Sequence, residues 1–191
     1  DVYKRQVLII LAIGLQPLFA KQKLTTSIKA TYEFGVDYAK NQGFGLDIIE
    51  RYNITNNFSV GIGTGFYYCD LLFDDGGYEY DNSNLYSREY RESGAYLPLF
   101  LNLKLNLTNE GISPYLSLGG GYTFLIPFSE YAKKADLGVM IRPAFGIDIP
   151  ISSGSIFVEF GYKYQKMNFN GYGLTYDLNH SNLTISLGYN F

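Results

Sequence analysis

The stretch L-T-I-S-L-G-Y-N-F, residues 183–191, decides how the rest of the chain is read. Leu183, Ile185, Leu187, Tyr189 and Phe191 share one parity; Thr184, Ser186, Gly188 and Asn190 share the other. Successive side chains of a strand point to opposite faces, so the stretch specifies a strand with one apolar face and one polar face.

Working back from it, the same alternation returns seven times. It is plainest at residues 96–107, where Leu97, Leu99, Leu101, Leu103, Leu105 and Leu107 alternate with Tyr96, Pro98, Phe100, Asn102, Lys104 and Asn106. Further runs lie at 28–36, 44–52, 58–68, 115–124, 139–149 and 156–164. Between them, short polar turns at 53–57, 109–111 and 150–154 alternate with longer polar loops at 69–93, 127–136 and 166–179, while the connection at 38–42 is short for its place. Eight runs of about ten residues with connections of alternating length predict an all-β, eight-stranded, antiparallel up-and-down barrel in which every edge is paired.

Composition supplies the solvent. The 191 residues are 47% hydrophobic but only 17% charged, against about 25% in soluble domains, so part of the outer surface does not face water. Beyond the first twenty residues no run of about 20 apolar residues occurs, which excludes a helical membrane protein. A net charge of -3 provides no basic footprint for nucleic acid. A single cysteine, Cys69, forms no internal disulfide, and one cysteine with one histidine makes no Cys/His zinc cluster. No cofactor is expected.

Residues 4–20 place Lys4 and Arg5 before an apolar run at 7–15 and the exit P-L-F-A at 17–20. These are the parts of a secretory signal peptide, with cleavage expected after Ala20. The expected domains are a removed leader over 1–20 and a barrel over 21–191.

Alternation alone does not separate a membrane barrel from a soluble lipocalin-like one. Charge does. The polar parity carries Lys29, Glu33, Asp47, Arg51, Lys104, Arg142, Asp148, Glu159 and Lys163, whereas the apolar parity carries only Glu50. Each basic residue facing lipid costs about 2–4 kcal/mol at the midplane, so the apolar parity must point outward. The polar parity is also rich in glycine, which leaves room for long side chains in a lumen only just wide enough for them. Aromatic residues gather near both ends of the apolar face, Tyr52, Phe58, Tyr189 and Phe191 at one and Phe34, Phe44, Phe66, Tyr68, Phe124 and Tyr164 at the other, as two girdles. Pro143 lacks a ladder donor and is expected to mark a bulge or a broken pairing.

Y-L-P-L-F-L-N-L-K-L at 96–105, P-Y-L-S-L-G-G-G-Y at 114–122 and the final L-G-Y-N-F resemble the outer-membrane β-barrel domain proteins of Gram-negative bacteria. These are the small eight-stranded barrels similar to the OmpA membrane domain and OmpX, within the porin-like families. The resemblance runs from about residue 23 to 191. It implies residence in a Gram-negative outer membrane, contact with outer-membrane lipid and lipopolysaccharide, and a C-terminal signal at Tyr189 and Phe191 read by the barrel-assembly machinery. A monomer without nucleic-acid partners is expected.

Three candidate sites follow. The nine interior charges must pair, because an unpaired buried charge costs several kcal/mol; they form either a plug or the lining of a narrow solute path. Tyr78, Tyr80, Tyr86 and Tyr90, among acids and arginines in the loop 69–93, offer an extracellular contact surface for an unknown ligand. D-D-G-G-Y-E-Y-D at 74–81 lacks the spacing of a calcium loop. A lipid-modifying enzyme needs a nucleophile and a base, but His180 and Ser181 are adjacent on a strand and point to opposite faces, so no catalytic residue is assigned and His180 is expected in a solvated loop. The expected role is structural and interaction-based rather than enzymatic, with a small pore as the alternative and a lipid-modifying enzyme as the second.

Overall fold

A computed structural model describes residues 24–36, 42–81, 84–108, 110–127, 135–171 and 174–191, with the backbone alone described over 71–81, 84–93, 127, 135–137, 167, 169–171 and 174–178. The expected leader lies outside these residues.

Eight strands follow one another: β1 Leu24–Gly35, β2 Gln42–Asn53, β3 Phe58–Asp81, β4 Asn84–Asn106, β5 Ser113–Pro127, β6 Ala135–Ile151, β7 Gly154–Gly171 and β8 Leu174–Asn190. Each pairs antiparallel with its neighbours and β8 closes on β1, giving a barrel. Closure leaves no ladder edge around the wall, as a strand structure in hydrocarbon requires.

The parity of each run survives intact. Leu99 and Leu101 are 53% and 61% exposed, while Asn102 and Lys104 between their neighbours are 4% and 6% exposed. A contiguous apolar exterior of this extent, around a charged interior, is the inverse of a soluble domain and marks a membrane-spanning wall. From Leu97 to Asn106 the strand covers about 30 Å at ~3.3 Å per residue. Tilted by about 40°, that is ~23 Å along the membrane normal, close to the ~25 Å height of an outer-membrane apolar band.

The longer connections differ from expectation. Residues 69–81 and 84–93 pair as a continued hairpin rather than a loop: pairing runs from Cys69↔Gly94 to Asp74↔Glu89 and resumes from Tyr78↔Ser87 to Asp81↔Asn84. The D-D-G-G segment therefore absorbs a register shift and does not make the turn. The physical reason is that a hairpin rising out of the barrel satisfies its backbone groups by extending the ladder. Residues 166–171 and 174–179 behave likewise, with β7 and β8 paired from Lys166↔Asn179 to Gly171↔Leu174. At the opposite end Pro150 and Ile151 remain in β6, and the turn shrinks to residues 152–153.

Two of the strand prolines, Pro98 and Pro143, interrupt pairing on one side only. Pro143 pairs with Leu118 of β5, but the β6–β7 ladder has no pair at Arg142 or Pro143 and keeps its register across the gap. The bulge lies instead between Leu137 and Met140. Pro98 leaves a similar gap toward β3, where Thr64 donates its hydroxyl to the Pro98 carbonyl at 2.9 Å.

Candidate functional site

Alternation on eight strands turns every second residue into the lumen, and closure brings together side chains far apart in sequence. All nine interior charges are buried there, none more than 8% exposed. They fall into three levels between the extended-hairpin end and the short-turn end.

Nearest the extended hairpins, Lys163 donates to Glu33 Oε2 at 2.5 Å and to Tyr96 Oη at 2.6 Å, and Tyr96 donates to the same carboxylate oxygen at 2.7 Å. Tyr96 stacks on Tyr67 with ring centroids 4.8 Å apart. At mid-depth Asp47 Oδ2 accepts from Tyr67 Oη at 2.8 Å and Arg142 Nη2 at 2.9 Å, with Lys29 Nζ at 3.6 Å. Lys29 donates to Glu159 at 2.8 Å, whose other oxygen accepts from Tyr115 at 3.2 Å and Ser117 at 3.0 Å. Near the short turns Lys104 pairs with Asp148 and stands 4.0 Å from the Tyr115 ring centre. Each carboxylate thus has a cation within ion-pair distance.

Arg51 differs from the other four cations. Its donors reach Asn102 Oδ1 at 2.6 Å and Ser27 Oγ, both neutral, and no carboxylate among the described residues lies within ion-pair distance.

Glycines make this packing possible. Tyr67, Phe100, Tyr115 and Phe157 point inward, and each is the direct cross-strand partner of an inward glycine: Gly45, Gly63, Gly146 and Gly188. A Cβ added at any of the four would run into the partner ring. The rings therefore lie flat over their neighbours' backbone, filling the lumen sideways rather than crossing it. Phe100 joins Ile49 and Met140 in a buried apolar group at mid-depth, with the Arg142 guanidinium 4.7 Å from its ring centre. The sequence reading assigned the glycines to the interior but paired none of them. Cross-strand register was the missing signal.

The remaining candidates separate. Phe191 is 63% exposed on the outer face, 4.6 Å edge-on from Tyr189, and its N–H donates to the Thr26 carbonyl at 2.8 Å. Tyr78 and Tyr80 stand opposite Ser87 and Leu85, and Tyr86 and Tyr90 opposite Glu79 and Phe73, on the extended hairpin; their side chains lie outside the described ones. His180 is not in a solvated loop: it is a buried residue of β8, opposite Gln165, because β8 begins well before it. Ser181 takes the other face and its Oγ lies 2.8 Å from Tyr162 Oη. Glu50, an acid on the lipid-facing parity, accepts from Thr26 Oγ1 at 2.7 Å and stands three residues from the end of β2.

No family model and no curated protein matches the chain. Among solved structures, Neisserial surface protein A aligns with a TM-score of 0.50 and 10% identity over 88% of this chain and 96% of that one. A major outer membrane protein from Thermus thermophilus aligns at 0.49 and 12% identity over 88% and 99%, and the N-terminal β-barrel domain of Pseudomonas aeruginosa OprF at 0.45 and 14% over 87% and 97%. At such identities the likeness is one of fold. That fold, with the apolar belt and the closed ladder, is the small eight-stranded outer-membrane barrel, and its solvent is the outer membrane.

Proposed function

We propose that this barrel has a structural and contact-making role, with a lumen that does not conduct. The observation that supports this reading is the layered filling of the interior: the Tyr67–Tyr96 stack, the group of Phe100, Ile49 and Met140, and ion pairs that bridge β1, β2, β6 and β7. Moving an ion through it would mean breaking buried pairs in a low-dielectric interior, at a cost of several kcal/mol each. The hairpins that rise from β3–β4 and β7–β8 carry the contacts, with lipopolysaccharide and surface partners the expected counterparts. In this reading the chain acts as a monomer, carries no catalytic dyad, and presents Tyr189 and Phe191 to the assembly machinery during insertion.

Planar-bilayer recording tests the sealed lumen. Purified refolded protein is expected to give no reproducible conductance steps, and steps of uniform size would overturn the reading.

A small pore is the second reading, and one observation favours it. Glu33 Oε1, Thr123 Oγ1, Gln165 Nε2 and Asn182 Oδ1 are buried without hydrogen-bond partners among the described residues, and Glu33, Gln165 and Asn182 lie on the neighbouring strands β1, β7 and β8. Buried polar groups are ordinarily satisfied by protein or water, so this end of the lumen is polar enough to admit water. Exclusion of water from these groups, measured by slow amide and hydroxyl exchange at Thr123 and Asn182, would count against a path.

A further inference from the structure

The interior charge balance leaves one cation over, and the structure puts it beside an opening. Among the described side chains, five basic residues face four carboxylates in the lumen. Lys29, Lys104, Arg142 and Lys163 engage Glu159, Asp148, Asp47 and Glu33 respectively. Arg51 is 4% exposed and its described hydrogen bonds end on neutral oxygens.

The two carboxylates on its side of the lumen are already occupied. Asp148 accepts from Lys104 on one oxygen and from Asn190 Nδ2 at 3.0 Å on the other. Glu159 is taken up by Lys29, Tyr115 and Ser117. Arg51 reaches Asp148 only through a neutral relay, in which Ser27 accepts from Arg51 and donates to Asn190 Oδ1 at 2.5 Å. A guanidinium held this way is short of a counter-charge, and its planar fork of donors matches a carboxylate or phosphate group.

Arg51 also lines a cavity of about 470 Å³ at the short-turn mouth, with Lys104, Asn53, Ser59 and Asn190 around it. That volume lies within the range of small-molecule sites, about 300–1,000 Å³. The charged groups lining it are Arg51, Lys104 and Asp148, a net charge of +1 by their formal charges. Its amide and hydroxyl lining suits the remaining oxygens of a polar anion. Asn106, also in the lining, has a buried side-chain oxygen without a partner among the described residues, which a protonated phosphate oxygen would satisfy.

We infer that the short-turn mouth of the barrel is a binding site for a small soluble oxyanion of the phosphate type, held by Arg51 with Lys104 beside it. The site does not depend on whether the lumen conducts, since it opens to the aqueous phase on one side only of the ion-pair layers.

The test uses the whole refolded barrel in detergent micelles, with inorganic phosphate as the probe and chloride at equal ionic strength as the control. Side-chain NMR of the Arg51 Nε–H follows binding directly. Phosphate is expected to give a saturable shift that chloride does not reproduce. Arg51→Gln removes the reporter and the site, so binding to that variant is read by isothermal calorimetry, with a loss of at least tenfold in affinity expected. Ser59→Asp keeps Arg51 and places a carboxylate in the same cavity; it is expected to abolish the phosphate shift while the protein retains its heat-modifiable gel migration. A shift with phosphate no larger than with chloride, or phosphate binding unchanged in folded Ser59→Asp, overturns the proposal.

Discussion

Asp47 is the point at which the interior network is most exposed to attack by a single substitution. It is fully buried and receives Tyr67, Arg142 and Lys29. Asp47→Asn preserves volume, so cavity formation contributes little and the charge change dominates. With the carboxylate neutralised, Arg142 keeps a hydrogen bond to Tyr67 at 2.8 Å but loses its ion pair, as a guanidinium 3% exposed. Removing one partner of a buried pair costs about 3–5 kcal/mol. Removing both is much cheaper, so the double variant Asp47→Asn/Arg142→Met is expected to recover more than half of that loss. The assay is equilibrium unfolding in guanidinium chloride from lipid vesicles, comparing wild type, both single variants and the double variant as a cycle. A loss below about 1 kcal/mol for Asp47→Asn, or additive losses in the double variant, would refute the account of the lumen as a charge-compensated core.

Gly63→Ala and Gly146→Ala should each destabilise by about 1–3 kcal/mol through overpacking against Phe100 and Tyr115, whereas Gly120→Ala, whose added carbon has nothing within 4 Å, should be nearly neutral; chemical denaturation distinguishes them, and equal effects would sink the ring-over-glycine description. Leu101→Arg near the middle of the lipid face should cost about 2–4 kcal/mol and Leu107→Arg at the short-turn end about 0–1, read by the same denaturation from vesicles; a reversed order would move the belt. His180→Ala, with an intact barrel, should leave the cell's lipid profile unchanged on overexpression, since Ser181 faces away from it; a lost lipid modification would establish the enzymatic alternative.

The period-two pattern made most of the wall legible. It works because a wall between lipid and a charged lumen imposes opposite demands on adjacent residues, so Leu101 and Asn102 had only one arrangement open to them. The pattern faltered where those demands stop. Beyond the lipid belt the alternation fades, and residues 69–93 read as a loop although the described backbone over 69–81 and 84–93 continues the ladder. Ile49 and Met140 are apolar residues on the inward parity, where packing against Phe100 rather than polarity decides the choice.

Strand number, the outward parity and the burial of the nine charges follow from local alternation and the cost of charge in lipid, and both can be computed along a single strand. Which charge meets which cannot. Asp47 and Arg142 are 95 residues apart, Lys29 and Glu159 are 130 apart, and their meeting depends on register and closure. So does the odd place of Arg51. The chain shows five cations against four acids on one parity, but only the closed barrel decides that the unmatched one lines the short-turn mouth, because it meets serine and asparagine there while the four described lumen carboxylates each pair with another cation.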